Sequence, residues 1–150
     1  AEILQAHVDE GLKFARKNRL PKPIANFIPE HQGTLKMGYF LHKAKEKNLN
    51  INESDFRYKG PIPQSKETAI LMLADGCEAA LRAMDINASD SQALKTISKI
   101  IHSRQIDGQL NDSNLSKGEM FLIKKSFLNV WKRVRHRRIQ YPTTKNNTFS

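Results

Sequence analysis

Three polar residues stand where the hydrophobic pattern calls for apolar ones. His7 shares a helical face with Ile3, Leu4 and Phe14, and His31 continues the Ile24, Phe27, Ile28 face beside Gly33. Asp75 is the only charge between Glu67 and Glu78 and follows directly on Ile70-Leu71-Met72-Leu73-Ala74. Neutral imidazole and carboxylate together make a donor set for Fe, Mn or Zn. The plainer alternatives are ordinary ones. A lone histidine on such a face is most often a core residue with its hydrogen bonds made. A carboxylate buried among aliphatics needs a cation, donors or a metal, and Arg82 two turns on is one partner for it. No spacing is of the HExxH kind, so periodicity alone leaves the metal reading and the structural one both open.

The elements that must position these residues are helices. Residues 2–18 read as an amphipathic helix through Ile3, Leu4, His7, Gly11, Phe14 and Ala15, broken by Leu20-Pro21-Lys22-Pro23. A short helix through Ile24, Phe27, Ile28 and His31 ends at Gly33. A third is expected over Leu35 to Lys47, with Tyr39, Phe40 and Ala44 as its apolar side. Residues 48–63, with Asn, Ser, Gly and two prolines, read as a long loop, and loops of that length are often functional. Gln64 to Met84 carries the strongest pattern. Ser89 or Asp90 caps a helix to about Gln105, and Ser116 caps a last one stopped by Pro142, with a polar, disordered tail after it. The expectation is an all-α domain of about six helices over 1–142 and a tail at 143–150.

Composition narrows the function classes. The chain has 150 residues, the size of one domain, with a formal charge of +10. One cysteine, Cys77, excludes an internal disulfide framework and a multi-Cys zinc site. The longest apolar run, Ala69 to Ala74, is too short to span a membrane. Residues 1–116 hold 16 Lys/Arg against 14 Asp/Glu, and residues 117–150 hold nine against Glu119 alone. The excess is therefore a C-terminal feature, concentrated in Lys124-Lys125, Lys132-Arg133, Arg135 and Arg137-Arg138. A solvated basic face is the plain reading of it. Contact with anionic lipid or with nucleic-acid phosphates is the alternative, and the absence of aromatics interleaved with the basic cluster argues against a single-strand platform. The chain opens in helical pattern without an initiator Met, which reads as a piece of something longer, cut inside or just before a helix.

Several stretches then occur in a recognisable order: Ala25-Asn26-Phe27-Ile28-Pro29-Glu30-His31-Gln32-Gly33-Thr34, Gly38-Tyr39-Phe40, Asp55-Phe56-Arg57-Tyr58-Lys59-Gly60-Pro61-Ile62-Pro63-Gln64-Ser65-Lys66-Glu67 and Met72-Leu73-Ala74-Asp75, with Asp107-Gly108-Gln109-Leu110 and Arg138-Ile139-Gln140-Tyr141-Pro142 near the end. Over about residues 2–142 they resemble the HD-domain phosphohydrolase module of seven-transmembrane HD receptors, the PgpH-like cyclic-di-AMP phosphodiesterases. The resemblance implies an HD-domain helical bundle holding two divalent metal ions, iron or manganese. These would activate a water to open cyclic-di-AMP to linear pApA. By motif match, His7 and His31 fall on two histidine ligands of the family and Asp75 on its late aspartate ligand. The resemblance also implies a membrane-anchored parent with the hydrolase on the cytoplasmic side.

Two departures go with it. The chain contains no His-Asp dipeptide, the signature for which the family is named, and those ligands lie upstream of the position of His7. A segment cut after the signature explains both this and the abrupt start. The piece alone would then hold about half of the ligand set, supply no complete catalytic group and be inactive by itself. Gln32 stands where many members carry a second histidine, and its amide suits a bound water or phosphate better than a metal. Gln32, Arg57 and Lys66 are the candidate substrate contacts, with Lys59 beside them and Tyr39, Phe56 or Tyr58 available to stack on adenine, because a cyclic dinucleotide carries two negative phosphodiesters. Thr34 hydrogen-bonds the site or caps the helix expected at Leu35. A non-catalytic nucleotide sensor, and lipid or nucleic-acid binding by the basic helix, are the alternatives.

Overall fold

The computed structural model describes residues 2–47 and 50–140. Its elements are α1 (Glu2–Lys17), the single-turn helices α2 (Lys22–Ala25) and α3 (Phe27–Glu30), α4 (Gly38–Glu46), a 3-10 turn (Glu53–Phe56), α5 (Lys66–Arg82), α6 (Asp90–Ile106) and α7 (Lys117–Gln140). Among the described residues there is no strand, only an isolated antiparallel bridge between Lys36 and Arg57. The all-α expectation holds, with the short helix after the prolines split at Asn26. Among the described residues no helix is long and apolar enough to cross a membrane. The expected stop at Pro142 and the polar tail lie outside the described residues.

Local chemistry sets the helix ends. Ser65 opens α5 by accepting from the Thr68 amide at 3.2 Å. Ser89 and Gln92 form a reciprocal capping box at α6, and Ser116 and Glu119 do the same at α7, at 3.1 and 2.8 Å. Each box satisfies backbone donors that a helix start leaves free.

The core is the α5–α6–α7 packing. Leu73 and Cys77 of α5, Ile97 and Ile101 of α6, and Met120 and Ile123 of α7 form its buried centre, with Leu81, Ile100, Leu110, Leu115, Phe127 and Leu128 around it. Each such aliphatic stabilises the fold by roughly 1.5–3 kcal/mol when fully buried. Cys77 belongs to this core, and burial pushes its thiol up to about 11, so it stays protonated and inert at neutral pH.

Three expectations about faces are corrected. Asp75 is exposed. Leu73 and Cys77 face the core, and at 100° per residue Asp75 lies 200° from each, on the outer side of α5. Arg82 does not reach it; its guanidinium is 3.6 Å from Glu78 on the surface. His7 is exposed too, rather than a core histidine. Where α1 meets α3, Gly11 is packed so close that a Cβ would come within 2.9 Å of Ile28 Cγ2. A helix of one turn covers little of α1, and His7 lies a turn before that contact. Finally, α4 starts at Gly38 rather than Leu35, because Leu35 and Met37 hydrogen-bond instead to Tyr58 and Phe56 of the long loop, at 3.1 and 2.7 Å. Tyr39 and Phe40 are consequently exposed, and Leu41 joins Ala44 as the buried side of α4.

Candidate active site

His31 ends α3 in a defined tautomer. Its Nδ1 lies 2.7 Å from the Phe27 carbonyl oxygen, which can only accept, so Nδ1 carries the proton. Its Nε2 is then bare and lies 3.1 Å from the Gln32 amide nitrogen, which donates to it. An imidazole anchored through Nδ1–H to a backbone carbonyl, with the Nε2 lone pair presented, is the arrangement of a metal-ligating histidine.

The turn after His31 is rigid. Gly33 has φ +53°, and a Cβ there would fall 2.5 Å from Gln109 Oε1 and 2.6 Å from Met72 Cε. Gln109 is fully buried. Its Oε1 accepts from the Thr34 amide at 3.0 Å, and its Nε2 donates to Thr34 Oγ1 at 2.8 Å and to Asp107 at 2.9 Å. Thr34 thus serves the turn, not the start of α4. Glu30, 3% exposed, is held beneath the turn by the Gln64 amide at 3.0 Å and the Thr68 hydroxyl at 2.7 Å. Neither Glu30 nor Gln109 stood out in the sequence, since a single polar residue in a helix or turn carries no mark of burial.

Beside this turn lies an open cleft of about 500 Å³. Gln32, Met37, Tyr39, Phe40 and Tyr58 line one side, and Asp75, Gly76, Ala79, Ala80 and Arg104 the other. The cleft therefore brings together Gln32, Asp75 and two of the three aromatics named for stacking, immediately beside His31. Burial, and secondly the Asp75 carboxylate, hold the Tyr58 phenol above its usual range, so it remains a hydrogen-bond donor at neutral pH. Among the described residues Asp75 makes no hydrogen bond or ion pair, and its carboxylate faces the open cleft.

The cations sort differently from the sequence expectation. Arg57 clasps the long loop onto the scaffold: its guanidinium donates to Asp107 Oδ1 at 2.8 Å, to Oδ2 at 3.1 Å and to the Thr34 carbonyl at 2.7 Å. The hydrogen bonds from Arg57 hold the Asp107 carboxyl below the usual aspartate range. Lys66 is paired with Glu119 at 2.6 Å and Lys59 with Asp9 at 3.0 Å. Lys36, which also lines the cleft, is paired with Glu53 at 3.1 Å. Arg104, which the sequence reading passed over, is the cleft cation without a carboxylate partner among the described residues. A signal was present, because Arg104 follows Ile97, Ile100 and Ile101 on one helical stripe.

Donor chemistry at His31 and Asp75 suits a hard-to-borderline divalent ion. Among the described residues, however, no three His, Cys, Asp or Glu side chains gather closely enough to hold a metal.

No protein-family model matches the chain. It is 45% identical over 146 residues to an uncharacterized protein of Synechocystis, covering 94% of this chain and 18% of that protein. It is 38% identical over 140 residues to the cyclic-di-AMP phosphodiesterase PgpH of Bacillus subtilis, covering 93% of this chain and 20% of that protein. Its structure is similar to the crystal structure of the Listeria monocytogenes phosphodiesterase PgpH HD domain in complex with cyclic-di-AMP, with a TM-score of 0.83 and 32% identity, over 89% of this chain and 62% of that one. The chain thus spans about a fifth of the curated relatives it matches.

Proposed function

We propose, from this chain's homology to the HD domain of PgpH, that it is the C-terminal part of a metal-dependent phosphohydrolase domain that, in the intact protein, opens cyclic-di-AMP to pApA. The reading is carried by the match to a solved HD domain that holds cyclic-di-AMP. The cleft geometry supports it, since it sets the outward-facing carboxylate of Asp75 beside the His31–Gln32 turn.

A bound divalent metal would supply an activated water and positive charge at the phosphodiester. His31 would contribute its Nε2 lone pair, fixed in direction by the Phe27 carbonyl. Asp75 would contribute an oxygen free of protein partners, whereas His7, exposed on α1 and outside the cleft lining, is a ligand only by the family resemblance. The remaining ligands would come from a His-Asp segment outside this chain, and the membrane anchor of the parent likewise. Gln32, now donating to His31 Nε2, would turn its amide to the substrate or to a water once a metal takes that lone pair. Arg57 and Lys66 are committed to Asp107 and Glu119 and do not line the cleft, so they hold the scaffold together rather than hold the nucleotide.

The test is turnover by the intact protein with Mn²⁺, followed by separation of pApA from substrate. Asp75→Asn and His31→Ala should each abolish product. Turnover that survives both substitutions would overturn the assignment. One observation favours a second reading, a sensor that binds without cleaving: the Gln32 amide covers the very lone pair a metal needs. Tight cyclic-di-AMP binding without product, with either metal, would select it.

A further inference from the structure

We infer that Arg104 is a ligand-binding residue of the cleft and takes a phosphodiester oxygen of the nucleotide. The inference rests on the proposed function and adds a substrate contact to it.

Four observations carry it. First, Arg104 sits, half-buried, in the last turn of α6 on the stripe that otherwise supplies Ile97, Ile100 and Ile101 to the interior. Second, its Nε, like that of Arg135, is buried without a hydrogen-bond partner among the described residues, which leaves the Nη atoms as the donors that could reach a ligand. The hydrogen bond its guanidinium does make is a long one, Nη1 to Ser103 Oγ at 3.3 Å. Third, it lines the cleft that Asp75, Gln32, Tyr39 and Tyr58 also line, whereas Lys36, Arg57 and Lys66 are each neutralised by a carboxylate within 3.1 Å. Fourth, α5 leaves room for it. A glycine inside a helix costs stability relative to alanine, yet Gly76 stands in the middle of α5. A Cβ there would come within 3.2 Å of both Arg104 Nη2 and Ile100 Cγ2. The missing side chain lets the guanidinium lie against the helix next to Asp75.

A planar, permanently charged fork with unused donors matches a phosphate oxygen pair. The ligand class follows from the neighbours: two tyrosine rings suit a base, and the cleft is large enough for more than a simple anion. Arg104 therefore contributes to holding the nucleotide, while Asp75 and His31 face the reacting end.

The test is steady-state cyclic-di-AMP hydrolysis by the intact Mn²⁺-loaded protein, with melting temperature measured alongside. Arg104→Gln should raise KM by about 10- to 100-fold with kcat within about threefold, the size of a lost charge-assisted hydrogen bond. Arg104→Lys, which keeps the charge without the fork, should recover only part of the loss. Gly76→Ala keeps the charge but displaces the guanidinium, and should raise KM by about threefold, which stays readable if Arg104→Gln folds poorly. An unchanged KM in Arg104→Gln and Gly76→Ala overturns the inference and leaves the proposed function standing, as does a fall in kcat and melting temperature with KM unmoved. A wild-type protein that does not turn over cyclic-di-AMP overturns the proposed function, and this inference with it.

Discussion

The polar residues beneath the Gly33 turn and those along the cleft use the same side-chain types in opposite ways. Glu30, Thr68 and Gln109 are buried, and their hydrogen bonds are made within the fold. Asp75 and Arg104, on the outward side of α5 and in the last turn of α6, keep an unpaired carboxylate and an unpaired buried Nε. Inside, a lone polar group is tolerable only when its partners are in place. At the cleft, charge left unspent is available for a ligand. The difference teaches that the buried polar residues with all partners in place are scaffold here, and that the unmatched charges lie along the cleft where the site is proposed.

The contrast breaks most readily at Glu30. Glu30→Ala removes the acceptor of the Gln64 backbone N–H and the shortest acceptor of the Thr68 hydroxyl, which keeps the Ser65 carbonyl at 3.3 Å, and should destabilise the fold by about 2 kcal/mol in urea unfolding. A loss below about 1 kcal/mol would mean water replaces the carboxylate, and that the turn is no stiffer than the cleft.

A smaller, pH-dependent effect sharpens the comparison at the clasp. Asp107→Asn should cost about 1.5 kcal/mol at neutral pH by weakening the Arg57 pair. Arg57 lowers the Asp107 pKa in the folded state relative to the unfolded one. The stabilisation from the ionised form is therefore fully present above the ordinary aspartate value and is lost as pH falls through the folded value. The gap between wild-type and Asp107→Asn melting temperatures should hold from neutrality to about pH 4 and close below it. A gap that widens in acid would reverse the assignment.

The smallest expected effect is at the cleft. Asp75→Asn should change unfolding free energy by less than about 0.5 kcal/mol, because the carboxylate has no protein partner to lose. Set against the loss of turnover expected of the same substitution, that separates a site residue from a structural one. Marked destabilisation would place Asp75 with Glu30 instead.

Helix positions, caps and the core stripe were legible in the chain itself. Ser89 and Ser116 cap as their spacing indicates, and Leu73, Cys77, Ile97, Ile101 and Ile123 are buried as their period requires. These features depend on residues within about one or two turns of each other, so local pattern is enough to set them. The identity of His31, Gln32 and Asp75 as neighbours of one cleft was legible only through resemblance to a family. What tertiary structure alone decided was partnership. Arg57 meets Asp107 across 50 residues of chain and Lys66 meets Glu119 across 53, while Arg104 meets no carboxylate among the described residues. His7 and Asp75, both on apolar-looking faces, turn out exposed because α3 is too short to cover one and the helical rotation of α5 sets the other 200° from Leu73 and Cys77. Which charge is neutralised depends on what distant elements bring alongside it, and no local pattern encodes that.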